Sequence, residues 1–378
     1  MEYRVLGRTG LRVSVLGFGC GDVGGLMVRG APADRERGVA RALELGINYL
    51  DTAPAYGSGE SEKNLGQVLR ALKPPVIVGT KWRLVAADLA DVGGAVARSV
   101  ETSLGRLGLE RVDLLHLHNL IGRVGEERPL GVARVLEAVV PAVRRLQEQG
   151  KVRFFGVTAS GETGALHRAL ASGAIDTAQA VFNLLNPSGA YEVPAGYPAQ
   201  DYDRLLTLAQ EQRVGTIGIR VLAGGALSGQ VARHPTAIPS VAPIASGPDY
   251  ATDARRARGL EPLVAQGHAG SVVEAALRFA ITGPALSTVL IGCSDLAQLE
   301  FAAAAVEKGP LPPAALASLR EIWAKWVRSY IPTFPDRPPA GGPGKCRNVR
   351  PDPVSGWGRG PWDRAASGSG RSWGGRPG

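Results

Sequence analysis

Cysteine is scarce in this 378-residue chain: Cys20, Cys293 and Cys346 are the only three, and no CxxC pair occurs. An odd, widely spaced set of thiols excludes a disulfide framework and a cysteine zinc site, and no metal is expected. Long apolar runs are missing too. No stretch approaches the roughly eighteen residues of a membrane-spanning helix. The opening "MEYRVLGRTG" lacks the apolar region of a signal peptide, so a cytoplasmic protein with no membrane partner is expected. Charge is not balanced, since the formal net value is +9. The stretch from Ile331 to Gly378 carries eight Lys/Arg against three Asp/Glu, so most of the excess sits there. That stretch is rich in Gly, Pro, Arg and Ser and has no hydrophobic period. It lacks the apolar surface needed to offset its ordering entropy. Residues 331–378 are therefore expected to be a disordered tail. An Arg/Gly/Trp mixture can bind RNA, but a non-functional extension and no nucleic-acid partner is the reading taken.

What the chain does have is alternation. From Leu16 to about Ala305, apolar strand-like runs alternate with amphipathic helical stretches. The strand candidates are "VSVLGFG", "INYLD", "PVIVGTK", "VDLLHLH", "VRFFGVT", "DTAQAVFN", "VGTIGIRV" and "LSTVLIG". Strands alternating with helices imply parallel pairing through crossovers. Eight such units fit a closed (β/α)8 TIM barrel spanning residues 1–330. A doubly wound open sheet is the competitor, and "GFGCGDVGG" offers a superficial dinucleotide fingerprint. No helical pattern opens at its last glycine, so it carries little weight. The preceding "YRVLGRTGLRVS" reads as a β-hairpin able to plug the bottom of the barrel.

Active sites of such barrels lie at the C-terminal ends of the strands. The second strand ends at Asp51, with Tyr56 five residues on. The third ends at Lys81, and the fourth at His118. A carboxylate and an ammonium at the ends of apolar strands are costly unless paired. A phenol ionises near pH 10, and a nearby ammonium is expected to lower that value. The histidine can hold a carbonyl oxygen. The grouping is a proton exchanger beside a carbonyl site. It lacks an electron source, which points to a bound hydride donor. His116 shares the parity of His118; His118 is chosen because it is nearer the strand end. Lys81 alone would also suit a Schiff-base aldolase.

The chain resembles the aldo-keto reductase family. The similarity rests on "RVLGRTGLRVSVLGFG", "NYLDTAPAYGSGESEKNLGQVL", "VGTK", "VDLLHLHN", "GVTASGE", "AGGALSG" and "STVLIGCSDLAQLE", in the family's order, over roughly residues 2 to 328. The resemblance implies a catalytic tetrad of Asp51, Tyr56, Lys81 and His118. It also implies NADPH or NADH bound across the barrel mouth without a Rossmann loop, and a small carbonyl, alcohol or sugar substrate. Oligomeric state is not readable. A non-enzymatic cofactor-binding regulatory subunit is the alternative within the same fold.

Several cofactor contacts follow from the same resemblance. Thr158 stands where the family has a serine at the nicotinamide amide, and Ala159 replaces its asparagine. Gln179 matches the glutamine at that amide. Arg220 is read as a pyrophosphate clamp or as simply solvated. Leu222, Gly224 and Gly225 look like the phosphate-side loop, and Gly19, Gly292 and Gln298 complete the expected rim. Ser294 stands where many members have Arg or Lys for a 2′-phosphate, and Phe301-Ala302 replaces a Glu-Asn pair near the adenine. NADH is therefore expected to compete with or exceed NADPH. Cys20, Trp82 and Asn119 are the candidate substrate-lining residues, with Trp82 either stacking on substrate or serving as an apolar lid.

Overall fold

The computed structural model describes residues 1–122, 130–283 and 285–330. The tail expected at 331–378 lies outside the described residues.

Eight strands close into a barrel in chain order: β1 (Leu16–Gly19), β2 (Tyr49–Asp51), β3 (Ile77–Trp82), β4 (Val112–Leu117), β5 (Val152–Ala159), β6 (Thr177–Val181), β7 (Gly215–Ile219) and β8 (Thr288–Ile291). Every pairing around the ring is parallel, and β8 closes onto β1 through Val289 against Leu16. This is the (β/α)8 TIM barrel. The fold follows from the binary pattern. The strands carry near-continuous apolar runs because both of their faces are covered. The helices between them carry one apolar stripe, as in Glu60–Leu72, which buries Leu65, Val68 and Leu69.

The N-terminal hairpin pairs Tyr3–Val5 with Arg12–Ser14. It seals the bottom of the barrel. Leu6 and Val13 pack inside against Tyr49, Leu114 and Ile217, all without solvent exposure.

The structure departs from the sequence reading in three places. Helix Tyr250–Arg258 lies inside what reads as a long irregular segment; the Asp249 side chain caps it by accepting from the Thr252 backbone N–H at 2.7 Å. The helix read as "VARVLEAVVPAVRRLQEQG" is interrupted by a π stretch at Val135–Val139. Pro141 accounts for that: it has no N–H to donate and crowds the preceding turn, and the wider turn absorbs both. A four-residue helix, Leu26–Arg29, does open after Gly25. Gly24 precedes it because a Cβ there would lie 2.4 Å from the Gly292 backbone.

Candidate active site

The strand ends converge as the topology dictates. Asp51 closes β2, and Lys81 lies near the end of β3. Asp51 pairs with Gly79 in the register, and Lys81 with His116 on β4. Lys81 donates to Asp51 Oδ1 and, at 2.9 Å, to the Thr52 carbonyl. Both charged side chains are almost fully buried. Such a pair is costly to split: removing one partner strands the other, at roughly 3–5 kcal/mol.

Tyr56 follows on the turn after β2. The Lys81 ammonium lies 4.8 Å from the centre of its ring. His118, just past β4, meets the same ring edge-on with centroids 6.3 Å apart. Its backbone N–H donates to the Trp82 carbonyl at 2.8 Å, fixing the strand end against β3. The choice of His118 over His116 has a geometric reason. His116 is fully buried one layer down, with Nε2 3.0 Å from Thr177 Oγ1.

Electrostatics sets the protonation states. Burial, aided by the field of Lys81, lowers His118 to about 3, so its imidazole is neutral and keeps one N–H to offer. The Tyr56 phenol is raised above its ordinary value. Burial is the largest cause, Lys81 and Arg220 oppose it, and Asp51 adds to it. This corrects the expectation of a lowered phenol. The ammonium acts in the expected sense, but desolvation outweighs it. Lys81 itself is held above the usual ammonium range; burial opposes this, and Asp51 with Tyr56 overcomes it.

The rim has features that fit a nicotinamide dinucleotide. Thr158 and Gln179 are register partners on β5 and β6. The Thr158 hydroxyl is buried and has no hydrogen-bond partner among the described residues. Gln179 Nε2 donates to Asp51 Oδ2 at 2.6 Å. Past β7, the Ala223–Ser228 turn runs through Gly224 and Gly225 at φ +70 and +105. That left-handed backbone favours glycine, and the turn is held by its own bonds, the Gly225 N–H to the Leu222 carbonyl at 2.8 Å and the Gly224 carbonyl to Arg233 at 2.8 Å. Arg220 is half-buried rather than solvated, and it is near enough to Tyr56 for each to feel the other's charge. Gly19 and Gly292 bring the ends of β1 and β8 together; a Cβ on Gly19 would lie 2.9 Å from the Ile291 carbonyl oxygen.

Most of the other candidate residues are buried. Asn119 spends its amide on the Leu84 backbone, accepting at 2.9 Å and donating at 2.8 Å. Cys20 is buried, and burial pushes its thiol far up. Trp82 is buried, and its indole N–H has no partner among the described residues. Ser294 donates to the Gly24 carbonyl at 2.7 Å, and its N–H goes to Gln298 Oε1 at 2.9 Å. Leu222 leads into the glycine turn. Tyr49, passed over in the motif, sits two residues before Asp51 on the same strand face and donates to Asp51 Oδ2 at 2.9 Å. Strand parity was the available signal.

A family model described as "Aldo/keto reductase family" matches residues 15–324. The chain belongs to that family. It is 30% identical to an L-galactose dehydrogenase of Arabidopsis thaliana over 315 residues, covering 81% of this chain and 88% of that protein. It is 32% identical to a D-threo-aldose 1-dehydrogenase of a Pseudomonas species over 215 residues, covering 49% of this chain and 62% of the other. Among solved structures, the holo form of aldo-keto reductase AKR11C1 from Bacillus halodurans superposes with a TM-score of 0.63 at 25% identity, covering 86% of this chain and 96% of that one. This aldo-keto reductase is an NAD(P)(H)-dependent oxidoreductase that interconverts a carbonyl and its alcohol. No helix among the described residues is long and apolar enough to cross a membrane.

Proposed function

We propose that this enzyme oxidises the anomeric carbon of an aldose, with Tyr56 exchanging the proton, and that it acts in the cytoplasm. The observation that carries the catalytic reading is the Asp51–Lys81 pair set beneath the Tyr56 ring with a neutral His118 at its edge. The sugar class is supported by two relatives whose names specify aldose substrates. Two buried free cysteines accord with a reducing compartment.

When bound, the nicotinamide supplies the hydride acceptor or donor. The chain does the rest. His118 donates an N–H to the substrate oxygen and aims the carbon. Tyr56 removes the hydroxyl proton during oxidation and returns one to the oxygen during reduction. Lys81 stabilises the phenolate, and Asp51 holds Lys81 charged and pointed. Thr158 would offer its hydroxyl to the carboxamide, and Arg220 beside the glycine turn would hold the pyrophosphate.

The raised phenol gives the pH dependence a sign. Reduction uses the protonated phenol, which is fully populated through neutral pH. Oxidation uses the phenolate, so its rate climbs with pH until Tyr56 has titrated. The test is Tyr56→Phe assayed against a panel of aldoses with NAD+ and NADP+. Turnover should drop at least a hundredfold with cofactor affinity kept; retained turnover would exclude Tyr56 as the proton carrier.

A further inference from the structure

Asp51 is held from two sides. Lys81 takes Oδ1. Oδ2 receives the Gln179 amide at 2.6 Å and the Tyr49 hydroxyl at 2.9 Å. Tyr49 is fully buried, and it is the polar member of the small cluster formed with Leu6, Val13, Leu114 and Ile217. A phenylalanine would fill that space equally well. A hydroxyl in apolar surroundings is costly unless it is bonded, and this one bonds to Asp51.

The neighbouring strands leave room for the ring. On β3, a Cβ at Gly79 would come within 2.8 Å of the Tyr49 hydroxyl and 3.2 Å of Asp51 Oδ2. On β1, a Cβ at Gly17 would lie 3.1 Å from the ring and 3.3 Å from Thr288 Oγ1. Two flanking strands thus present glycine where the phenol passes.

We propose that Tyr49 is a positioning residue which, through Asp51, sets how readily Tyr56 gives up its proton. The inference rests on the reading of Tyr56 as the proton carrier. Tyr49 never reaches the reacting atoms. Its hydroxyl draws part of the Asp51 charge toward Oδ2, away from Tyr56, and pins the carboxylate so that Oδ1 faces Lys81. Burial and Asp51 hold the Tyr49 phenol well above its ordinary range, so it remains a donor at every working pH.

The groups acting on Tyr56 come from each element around it. They are Asp51 from β2, Lys81 from β3 and Arg220 past β7; His118 past β4 meets the ring edge-on, Tyr49 on β2 itself feels the Tyr56 charge, Cys20 past β1 lies in the field of Asp51 and Lys81, and Arg83 acts on His118. Tyr49→Phe leaves every one of these charged groups in the chain. It removes one donor from Asp51 and leaves that charge falling more fully on Tyr56, so the phenolate becomes harder to form.

The experiment is the pH profile of kcat/KM for NAD+-dependent oxidation, with the best aldose of the panel, for the full-length enzyme, Tyr49→Phe and Tyr56→Phe. Cofactor Kd by quenching of tryptophan fluorescence is measured alongside. For Tyr49→Phe, the rising limb should move about one pH unit upward, giving roughly a tenfold loss below it that vanishes at high pH, with Kd unchanged. An inactive Tyr56→Phe together with a Tyr49→Phe profile that superimposes on the parent, or one lowered equally at every pH, would overturn this proposal and spare the catalytic reading. An active Tyr56→Phe would overturn both.

Discussion

A buried hydroxyl without a partner costs roughly 1–3 kcal/mol, and Thr158 carries one. The carboxamide of the cofactor is the partner that would remove that cost. Thr158→Val separates the two states. Without cofactor, the valine variant should be as stable as the parent or up to about 2 kcal/mol more so, because the orphaned group is gone. With cofactor, affinity should fall about five- to tenfold, the loss of one hydrogen bond. Thermal melts and fluorescence quenching measure the two arms, and unchanged affinity would remove Thr158 from the cofactor site. At this scale the sequence was partly legible. Asp51, Tyr56, Lys81 and His118 stand out because charged or titratable side chains at apolar strand ends need a reason. The direction of the Tyr56 shift was not legible, since the depth of burial that decides it is made by distant segments. The bond from Gln179 to Asp51 was hidden for the same reason: its partner lies 128 residues away.

Asp22 links three rim loops. Its carboxylate takes Arg29 Nη1 at 3.0 Å and the Gly57 N–H at 3.1 Å, and its carbonyl takes the Ile238 N–H at 3.1 Å. Gly57 is the neighbour of Tyr56. Ile238 lies on the segment after the glycine turn, where the Arg233 guanidinium bonds the carbonyls of Gly224 at 2.8 Å and Val23 at 3.0 Å. The loops after β1, β2 and β7 are thus joined through one acid and one arginine. Asp22→Ala should cost about 1–3 kcal/mol of stability, because the Gly57 N–H and Arg29 lose a partner. It should also lower kcat, since the Tyr56 turn loses its tie, and weaken cofactor binding several-fold through Arg29, which holds the Thr236 carbonyl at 2.8 Å; the backbone bond from Ile238 to the Asp22 carbonyl remains. Asp34→Ala, which removes an exposed pair with Arg37 and a first-turn acid of the helix Pro32–Glu44, is the control and should leave Kd and kcat unchanged. A variant matching that control in Kd and kcat would show that the loops hold without Asp22. Element boundaries were harder to read than element order. Helix Tyr250–Arg258 has its cap at Asp249 and its basic last turn in plain view, but it sits in a crossover longer than the barrel pattern requires.

At the scale of the whole barrel, the alternation of apolar runs and amphipathic stretches was sufficient, because parallel strands buried on both faces leave few other arrangements. Which dinucleotide crosses the mouth would be decided at its far end, which the sequence resemblance puts near the start of the helix Leu296–Glu307. A 2′-phosphate requires positive charge there. Ser294, expected from the sequence to stand in place of such a cation, is committed to Gly24 and Gln298. Its neighbour Asp295 is an acid that caps the helix and pairs with His234 at 3.3 Å. Arg41, a cation on the adjoining helix Pro32–Glu44, is shared between Glu44 and Glu300. Arg41 is already balanced by two carboxylates and Asp295 adds negative charge, so a phosphate dianion would meet repulsion without gaining a partner. The parent enzyme should therefore show a kcat/KM for NADH or NAD+ equal to or above that for the phosphorylated cofactor. Ser294→Arg should raise the NADPH value about tenfold while leaving NADH within a factor of two or three. The two ratios, measured at low ionic strength where such charges are least screened, decide the matter: a hundredfold preference of the parent for NADPH would mean that a cation elsewhere on the rim reads the phosphate.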